Sequence, residues 1–232
     1  MSVKLDFSVL LRDEYPQWIL NGVVTMFELT ALAWLLAMAV GTVLAVMRMG
    51  RSRLARGFVI AYVEYHQNVP MLVQIFLWYF GIPALLPVGV QQWVNAHNSE
   101  FVFATISIGL CMAAYISEDL RGGIRSIPAS QMEAARALGL SYLQACGRVI
   151  LPQAVRIALP TLVSHTVLLL KNSSLAMTIG VAELTYATRE IESQSFQTVE
   201  VYLFSTMFYL IVCLAVMAAG SVLEDRYRIK TR

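Results

Sequence analysis

The sequence predicts an all-α, polytopic membrane protein with about five transmembrane helices. Of its 232 residues, 58% are hydrophobic and 14% are charged, whereas soluble domains average roughly 45–50% apolar and about 25% charged residues. Lipid is therefore the expected solvent for most of the chain. Five segments are apolar over about the 20 residues that a spanning helix needs: residues 20–47, 59–81, 101–117, 153–170 and 201–223.

The first apolar segment is predicted to be a retained span rather than a cleaved signal peptide. Residues 31–33 imitate a cleavage site, but the apolar run continues to Met47. The residues before it also lack the basic character that opens a signal peptide. We therefore expect one transmembrane domain over residues 20–223.

The basic residues predict the orientation of the chain. Thirteen of the 17 lysines and arginines lie after the first, third and fifth spans or just inside the fourth, and residues 82–100 contain none. Because cytoplasmic loops are enriched in Lys and Arg, residues 1–19 are expected outside and the basic tail at 224–232 in the cytoplasm. The thirteen are Arg48, Arg51, Arg53, Arg56, Arg121, Arg125, Arg136, Arg148, Arg156, Arg226, Arg228, Lys230 and Arg232.

The longest polar stretch between spans, residues 118–152, predicts a cytoplasmic hairpin of two short helices. Ser130 and Glu133 have the spacing of a capping box, in which each side chain satisfies a terminal backbone donor. Gly139 offers a helix stop, and Ser141 can cap the second helix. The small alanines of the first helix leave a shallow surface that another protein can approach closely.

The run EAARALGLSYLQACGRVILPQA, residues 133–154, resembles the cytoplasmic "EAA" loop of permease subunits from bacterial ATP-binding-cassette (ABC) importers. In that family the loop forms coupling helices that dock in a cleft of the ATPase. The resemblance implies the type I ABC importer permease fold and a multi-pass location in the bacterial inner membrane, with residues 1–19 in the periplasm. The residues it assigns to ATPase coupling are Glu133, Ala134, Ala135, Gly139, Leu151 and Pro152, beside which Arg136 can pair with acidic groups of the ATPase.

The sequence shows no nucleotide site of its own. It contains no Gly-Lys pair, so the phosphate-binding glycine loop of the Walker type is missing. We therefore expect a transport subunit rather than an enzyme, with no cofactor in this chain. The resemblance implies that ATP and Mg²⁺ are held by a separate dimer of ATPase subunits. Cys111, Cys146 and Cys213 are predicted to be packing residues, and no metal site is expected.

Two polar stretches interrupt the apolar pattern. The first lies in the second span around Pro70, which removes a backbone hydrogen bond and can kink the helix; the second, at residues 171–190, follows the fourth span. Polar groups facing lipid are costly. These residues therefore either line a cavity, or extend their polar ends to the membrane surface and form hydrogen bonds between helices. In the first case, the second stretch can re-enter the membrane to line the cavity. The candidate substrate-binding residues are Glu64, Gln67, Asn68, Glu118, Lys171, Asn172, Ser173 and Ser174.

Both stretches are similar to the polar amino acid subfamily of these permeases, as is RGGIRSIP at residues 121–128, and the resemblance extends from about Leu20 onward. Two positions depart from the pattern: many members have Arg in place of Gln67, and an apolar residue is commoner in place of Asp119. The resemblance implies import of amino acids of the histidine, glutamine and glutamate type, with a lean towards glutamate and aspartate.

An α-amino acid presents a carboxylate and an ammonium group, so its site needs donors and an acceptor. Asn172, Ser173 and Ser174 are candidates for the carboxylate, and Glu64 or Glu118 is a candidate for the ammonium group. Lys171 would favour an acidic side chain if it faced the cavity.

The resemblance also implies partners. One chain with five spans cannot enclose a path, so a second permease copy or a paralogue is required within the lipid. A periplasmic solute-binding protein is expected outside, where residues 82–100 and 185–199 are candidates to receive it. No nucleic acid partner is expected.

Three alternatives stay open from the sequence. One is an ABC permease for another small solute. The second is an intramembrane hydrolase that uses Ser164 and His165, although adjacent residues on a helix point in different directions. The third is an ATP-independent carrier, which would leave the hairpin without a role.

Overall fold

The computed structural model describes residues 5–50 and 52–227, and every regular element in these ranges is helical. Four helices are long and apolar enough to cross a membrane, or five spans if one bent pair counts as a span. The predicted all-α fold with about five spans is confirmed. Of the predicted basic positions, Arg51, Arg228, Lys230 and Arg232 lie outside the described residues.

The α-helices follow the chain in a simple order. They are α1 (Tyr15–Met49), α2 (Arg53–Asn68), α3 (Met71–Phe76), α4 (Val88–Ala96), α5 (Ser99–Arg125), α6 (Ala129–Ala137), α7 (Tyr142–Ala145), α8 (Leu151–Asn172), α9 (Leu184–Ser195) and α10 (Thr198–Tyr227). Short 3-10 segments cover Phe7–Leu11, Ile82–Leu85 and Ser173–Ile179, and π-helical turns cover Leu77–Gly81 and Cys146–Ile150.

The long helices extend beyond the predicted spans. α1 begins at Tyr15, within the predicted N-terminal segment, and α5 continues to Arg125, so Glu118 lies on a spanning helix rather than in the hairpin. α10 continues to Tyr227, into the predicted tail. Helices lengthen in this way because each added residue adds a backbone hydrogen bond without a new nucleation cost.

The second predicted span is broken rather than continuous. α2 and the helical segment Met71–Leu85 meet at an angle of 108°. The break lies at Val69, which caps α2 in an extended conformation, and at Pro70, which has no N–H to continue the helix. The predicted kink at Pro70 is confirmed, and the two helical pieces count as one span if the bent pair is taken together.

The hairpin has the predicted turn but not the predicted first cap. α6 begins at Ala129, directly after Pro128, whose backbone is extended. No side chain caps this helix start, so the predicted capping box of Ser130 and Glu133 is wrong. Gly139 ends the hairpin's first helix with φ +83°, as predicted. Ser141 caps α7, reciprocated by Gln144.

The described chain divides into two compact units. The first contains residues 5–33, 71–108 and 168–215, and the second contains residues 34–70, 109–167 and 216–227. Each unit has its own buried cluster: Val9, Tyr15, Ile191 and Val201 in the first, and Leu44, Val59, Val63 and Ala114 in the second.

In the first unit, the buried carboxylate of Glu183 fixes the start of α9. It accepts hydrogen bonds from the backbone N–H of Thr185 (2.9 Å) and of Tyr186 (3.0 Å), and from the hydroxyl of Tyr209 on α10 (3.0 Å). Burial raises the pKa of the Glu183 carboxyl to about 7. α1 packs against the same turn, since a Cβ at Gly22 would lie 3.0 Å from the Cα of Leu184.

In the second unit, glycines let the spanning helices approach closely. A Cβ at Gly41 of α1 would lie 2.9 Å from the carbonyl oxygen of Ala113 on α5, and a Cβ at Gly123 of α5 would overlap the carbonyl oxygen of Ala154 on α8. Small residues at such positions are the usual means of close helix packing in membranes. Trp34 of α1 donates its indole N–H to the hydroxyl of Thr166 on α8 (3.0 Å).

The contact between α5 and α8 predicts unequal effects of alanine at two neighbouring glycines. Gly123→Ala places a methyl group against the backbone of Ala154, which cannot move aside, and we expect a loss of about 1–3 kcal/mol in stability. Gly122→Ala is the matched control, because no heavy atom lies within 4 Å of its Cβ; there the gain in helix propensity leaves stability unchanged or slightly higher. Thermal unfolding in detergent measures both, and equal melting temperatures would contradict the packing described.

Candidate functional site

The hairpin between α5 and α8 presents an exposed surface on a rigid frame. Glu133, Ala134 and Arg136 are exposed on α6, whereas Ala135 is buried and its carbonyl oxygen accepts the N–H of Leu140 across the turn. This bond and the left-handed Gly139 form a Schellman-type helix end. Three of the four motif residues from 133 to 136 are thus available to a partner.

Two large apolar side chains at the hairpin surface were not singled out from the sequence. Leu138 is 84% exposed beside the turn, and Leu143 is 73% exposed on α7. The two leucines give the hairpin an exposed apolar side chain on each side of its turn. Nothing in the sequence signals their exposure, which depends on the tertiary packing.

The hairpin joins α8 without a break. A π-helical turn at Cys146–Ile150 leads from α7 into Leu151, which is half-buried, and Pro152, which is exposed in the first turn of α8. Behind the hairpin lies a cavity of about 260 Å³, lined mainly by apolar side chains: Met49, Ile124, Ile127, Pro128, Ala129, Met132, Tyr142 and Ile150.

Glu118 stands at the α5 side of the hairpin in an ion-pair cluster. Its carboxylate accepts hydrogen bonds from Arg48 of α1 and from Arg121 one turn further along α5, whose Nε lies 2.7 Å from Oε2. Both carboxylate oxygens therefore have guanidinium partners. Glu118 as a ligand for a substrate ammonium group stays a prediction, and in this structure its charge is already compensated.

Asp119 and His165 form a second polar pair within the same unit. The Oδ2 of Asp119 lies 2.6 Å from Nδ1 of His165, and the ring of Tyr115 packs against the imidazole at a centroid distance of 5.2 Å. Ser164 donates its hydroxyl to the carbonyl oxygen of Pro160 instead of to His165. The serine and histidine considered for an intramembrane hydrolase are therefore not paired as nucleophile and base.

The predicted polar face of α2 is exposed in the single chain. Glu64, Gln67 and Asn68 are all exposed, and the amide of Asn68 donates to the carboxylate of Glu64 (3.0 Å) and to its backbone carbonyl (2.7 Å). His66 is buried on the opposite side of α2. Its backbone carbonyl oxygen accepts a hydrogen bond from the thiol of Cys111 (3.4 Å). Glu64 and Asn68 thus come together as one polar patch.

The second predicted polar stretch belongs to the other compact unit. Lys171 and Asn172 close α8, and Ser173 and Ser174 open the 3-10 segment. The two serine hydroxyls donate to the carbonyl oxygens of Leu170 (2.7 Å) and Lys171 (2.7 Å), so they retain acceptor capacity, and Ser173 is buried. Lys171 is exposed and has no carboxylate partner among the described residues.

The two stretches are distributed between the units. Glu64, Gln67, Asn68 and Glu118 lie in the second, and residues 171–174 lie in the first. Within the described ranges, no three His, Cys, Asp or Glu side chains gather as metal ligands. Among the described residues, Glu64, Gln67, Asn68 and the hairpin are exposed to partner molecules, and Ser164 and His165 are not paired as nucleophile and base.

Comparisons with known proteins identify the family. The profile of the family described as "Binding-protein-dependent transport system inner membrane component" matches residues 19–229. The glutamate/aspartate import permease protein GltJ of Escherichia coli (strain K12) is 31% identical over 239 residues, with 99% of this chain and 97% of that protein covered. The probable glutamine ABC transporter permease protein GlnM of Bacillus subtilis (strain 168) is 33% identical, with 86% and 90% covered. The nopaline transport system permease protein NocM of Agrobacterium fabrum is 34% identical, with 89% and 86% covered.

Solved structures agree with this assignment. The crystal structure of an amino acid ABC transporter with histidines matches with a TM-score of 0.79 at 28% identity, covering 97% of this chain and 100% of that one. An inward-facing MetNI methionine ABC transporter matches with a TM-score of 0.69 at 20% identity, covering 95% and 100%, which shows the fold alone. With the exposed EAA hairpin, the spanning helices and these matches, the chain belongs to the binding-protein-dependent transport system inner membrane components, the permease subunits of ABC importers.

Proposed function

We propose that this chain is the membrane-spanning permease subunit of an ATP-driven importer of polar amino acids. The observation that carries the proposal is the exposed hairpin of α6 and α7, held between two spanning helices and bearing the EAA residues. The relatives support the solute class, since they are named for glutamate and aspartate, glutamine and nopaline.

The hairpin is the mechanical input in this proposal. Glu133, Ala134 and Arg136 face the ATPase, with the small alanine allowing close approach and the exposed Leu138 and Leu143 adding apolar contact. ATP and Mg²⁺ bind to the ATPase dimer, and this chain supplies no group to them. Nucleotide binding draws the ATPase subunits together and moves the docked hairpins.

The packing behind the hairpin supports transmission of that movement. α7 continues through the π-helical turn into α8, and Gly123 of α5 abuts the backbone of Ala154 on α8. The salt bridges of Glu118 add a connection to Arg48 on α1. Helix interfaces packed this closely move as rigid units rather than deform continuously. In alternating access, such units rotate about a substrate site near the middle of the membrane.

The exposed polar face of α2 supports a second permease subunit. Glu64, Gln67 and Asn68 would be costly against hydrocarbon, so they face either a copy of this chain, a paralogue, or the water-filled path that the two subunits enclose.

The concentration of basic residues after α1, α5 and α10 supports a cytoplasmic C-terminus and a periplasmic N-terminus. A solute-binding protein would dock on the periplasmic side.

Within the amino acids, glutamate and aspartate are the preferred candidates. The relatives named for different amino acids have similar identities of 31–34%, so the preference depends on Lys171, an exposed cation beside hydroxyl and amide groups of residues 172–174. An ammonium group there complements a side-chain carboxylate.

Disruption of the hairpin is expected to release the ATPase. Glu133→Lys reverses the charge of an exposed motif residue, and Gly139→Pro cannot adopt φ +83°. Each should reduce copurification of the ATPase in detergent at least about tenfold, a change of 1.4 kcal/mol. Glu14→Lys is the matched control, since Glu14 is exposed but lies before α1. If the folded chain copurifies with no ATPase, an ATP-independent carrier is the better account.

Lys171 is expected to set selectivity for acidic substrates. In proteoliposomes with ATPase and binding protein, Lys171→Met should reduce uptake of glutamate about tenfold more than uptake of glutamine, because only glutamate loses an ion pair. Lys171→Arg keeps the charge and should retain the preference. An equal loss of glutamate and glutamine uptake would show that Lys171 does not recognise the substrate. If a different solute stimulates transport, that solute is the substrate.

A further inference from the structure

A cavity of about 250 Å³ lies in the first unit, between the beginning of α1 and the face of α9. It contains none of the residues predicted to bind substrate or the ATPase. α1 contributes Trp18 and Asn21 to its lining, and α9 with the residues just before it contributes Ala182, Tyr186, Ala187 and Glu190.

The walls of the cavity are fixed by packing from three sides. Gly22, next to Asn21, brings α1 against the backbone of Glu183 and Leu184. The carboxylate of Glu183 anchors α9 to Tyr209, and the hydroxyl of Thr188, in the middle of α9, hydrogen-bonds to Ser205 on α10. The cavity is therefore built into the fold, as preformed binding sites are.

The aromatic rings are also held in place. Trp18 packs on the buried ring of Tyr15 at a centroid distance of 5.5 Å and borders the apolar cluster of the first unit. Tyr186 is tied through its backbone N–H to Glu183. Both rings are half-buried, so each keeps part of its surface for a ligand.

Glu190 supplies the charge. Its side chain is half-buried and has neither a hydrogen bond nor an ion pair among the described residues. The carboxylate therefore keeps its hydrogen-bonding capacity and its charge for a ligand. Asn21 accepts a hydrogen bond from Gln17 and brings no positive charge to the cavity.

We propose that this cavity binds a cationic group, an ammonium or guanidinium, which pairs with Glu190 and packs on Trp18 and Tyr186. A carboxylate beside aromatic faces is the combination that cations favour, through ion pairing and cation–π attraction. The volume is several times the roughly 30 Å³ of a water molecule in the liquid, so the group can carry part of the molecule that bears it. That molecule is either a free amino acid or a segment of protein with a basic side chain.

The test uses the full-length chain in neutral detergent, labelled with 5-fluorotryptophan and observed by fluorine NMR. The Trp18 signal is assigned by its loss in Trp18→Phe. Nα-acetyl-L-lysine amide, which carries only a side-chain ammonium, and L-alaninamide, which carries only an α-ammonium, are titrated separately at constant ionic strength. The assay reports binding to this chain alone and does not depend on the ATPase or on transport.

We expect a saturable shift of the Trp18 signal with at least one of the two probes, while the other tryptophan signals stay in place. Glu190→Gln should weaken the affinity at least about tenfold, and Glu14→Gln, a nearby exposed carboxylate outside the cavity, should not change it. An unchanged Trp34 signal confirms that each variant is folded.

The response also distinguishes the two sources of the cation. A shift with the lysine derivative alone assigns the cavity to a basic side chain of a protein, and a shift with alaninamide alone assigns it to a free amino acid. The proposal is overturned by the absence of a saturable Trp18 shift with both probes, or by equal affinity in Glu190→Gln.

Discussion

The hydrocarbon core of a membrane offers no water to polar groups, and this constraint governs every element of the chain. The backbone satisfies it with helices, which bond all their amides internally. Charged side chains satisfy it in pairs: Glu118 with two arginines, and Asp119 with His165. The helical pattern breaks at Val69 and Pro70, where the chain turns by 108°. Polar side chains that stay exposed in the single chain, such as Glu64, Gln67 and Asn68 on α2, are therefore candidates for contact with other molecules.

The same constraint explains how function is distributed along the chain. The exposed hairpin of α6 and α7 lies between spanning helices that are packed backbone to backbone at Gly123 and Ala154. A force on the hairpin therefore acts on α5 and α8, and Glu118 and Lys171 lie on these two helices. Membership of the ABC permease family implies two partner proteins, an ATPase and a binding protein.

Local features of the structure could be predicted from the sequence, and partners distant in the chain could not. Gly139 and Ser141 determine the turn through their own backbone preferences, so the hairpin was predicted correctly there. Ser130 was assigned to a cap because its spacing to Glu133 fits, but Pro128 starts the helix earlier. The partner of Glu118 on α1 is 70 residues away, and only the packing of the helices selects it. Leu138, Leu143 and the anchor at Glu183 were missed for the same reason, since exposure and burial are tertiary properties.

The most direct test of the central claim is a photo-cross-link from the hairpin surface in the assembled transporter. A benzophenone amino acid in place of Leu138 should form an adduct with the ATPase. The same benzophenone amino acid in place of Leu85, which is similarly exposed at 80% but lies at the end of the helical segment Met71–Leu85, should form none. An adduct confined to position 138 supports the hairpin as the contact through which ATP hydrolysis acts. No adduct at 138 in a complex that retains its ATPase, or equal adducts at both positions, would contradict the account.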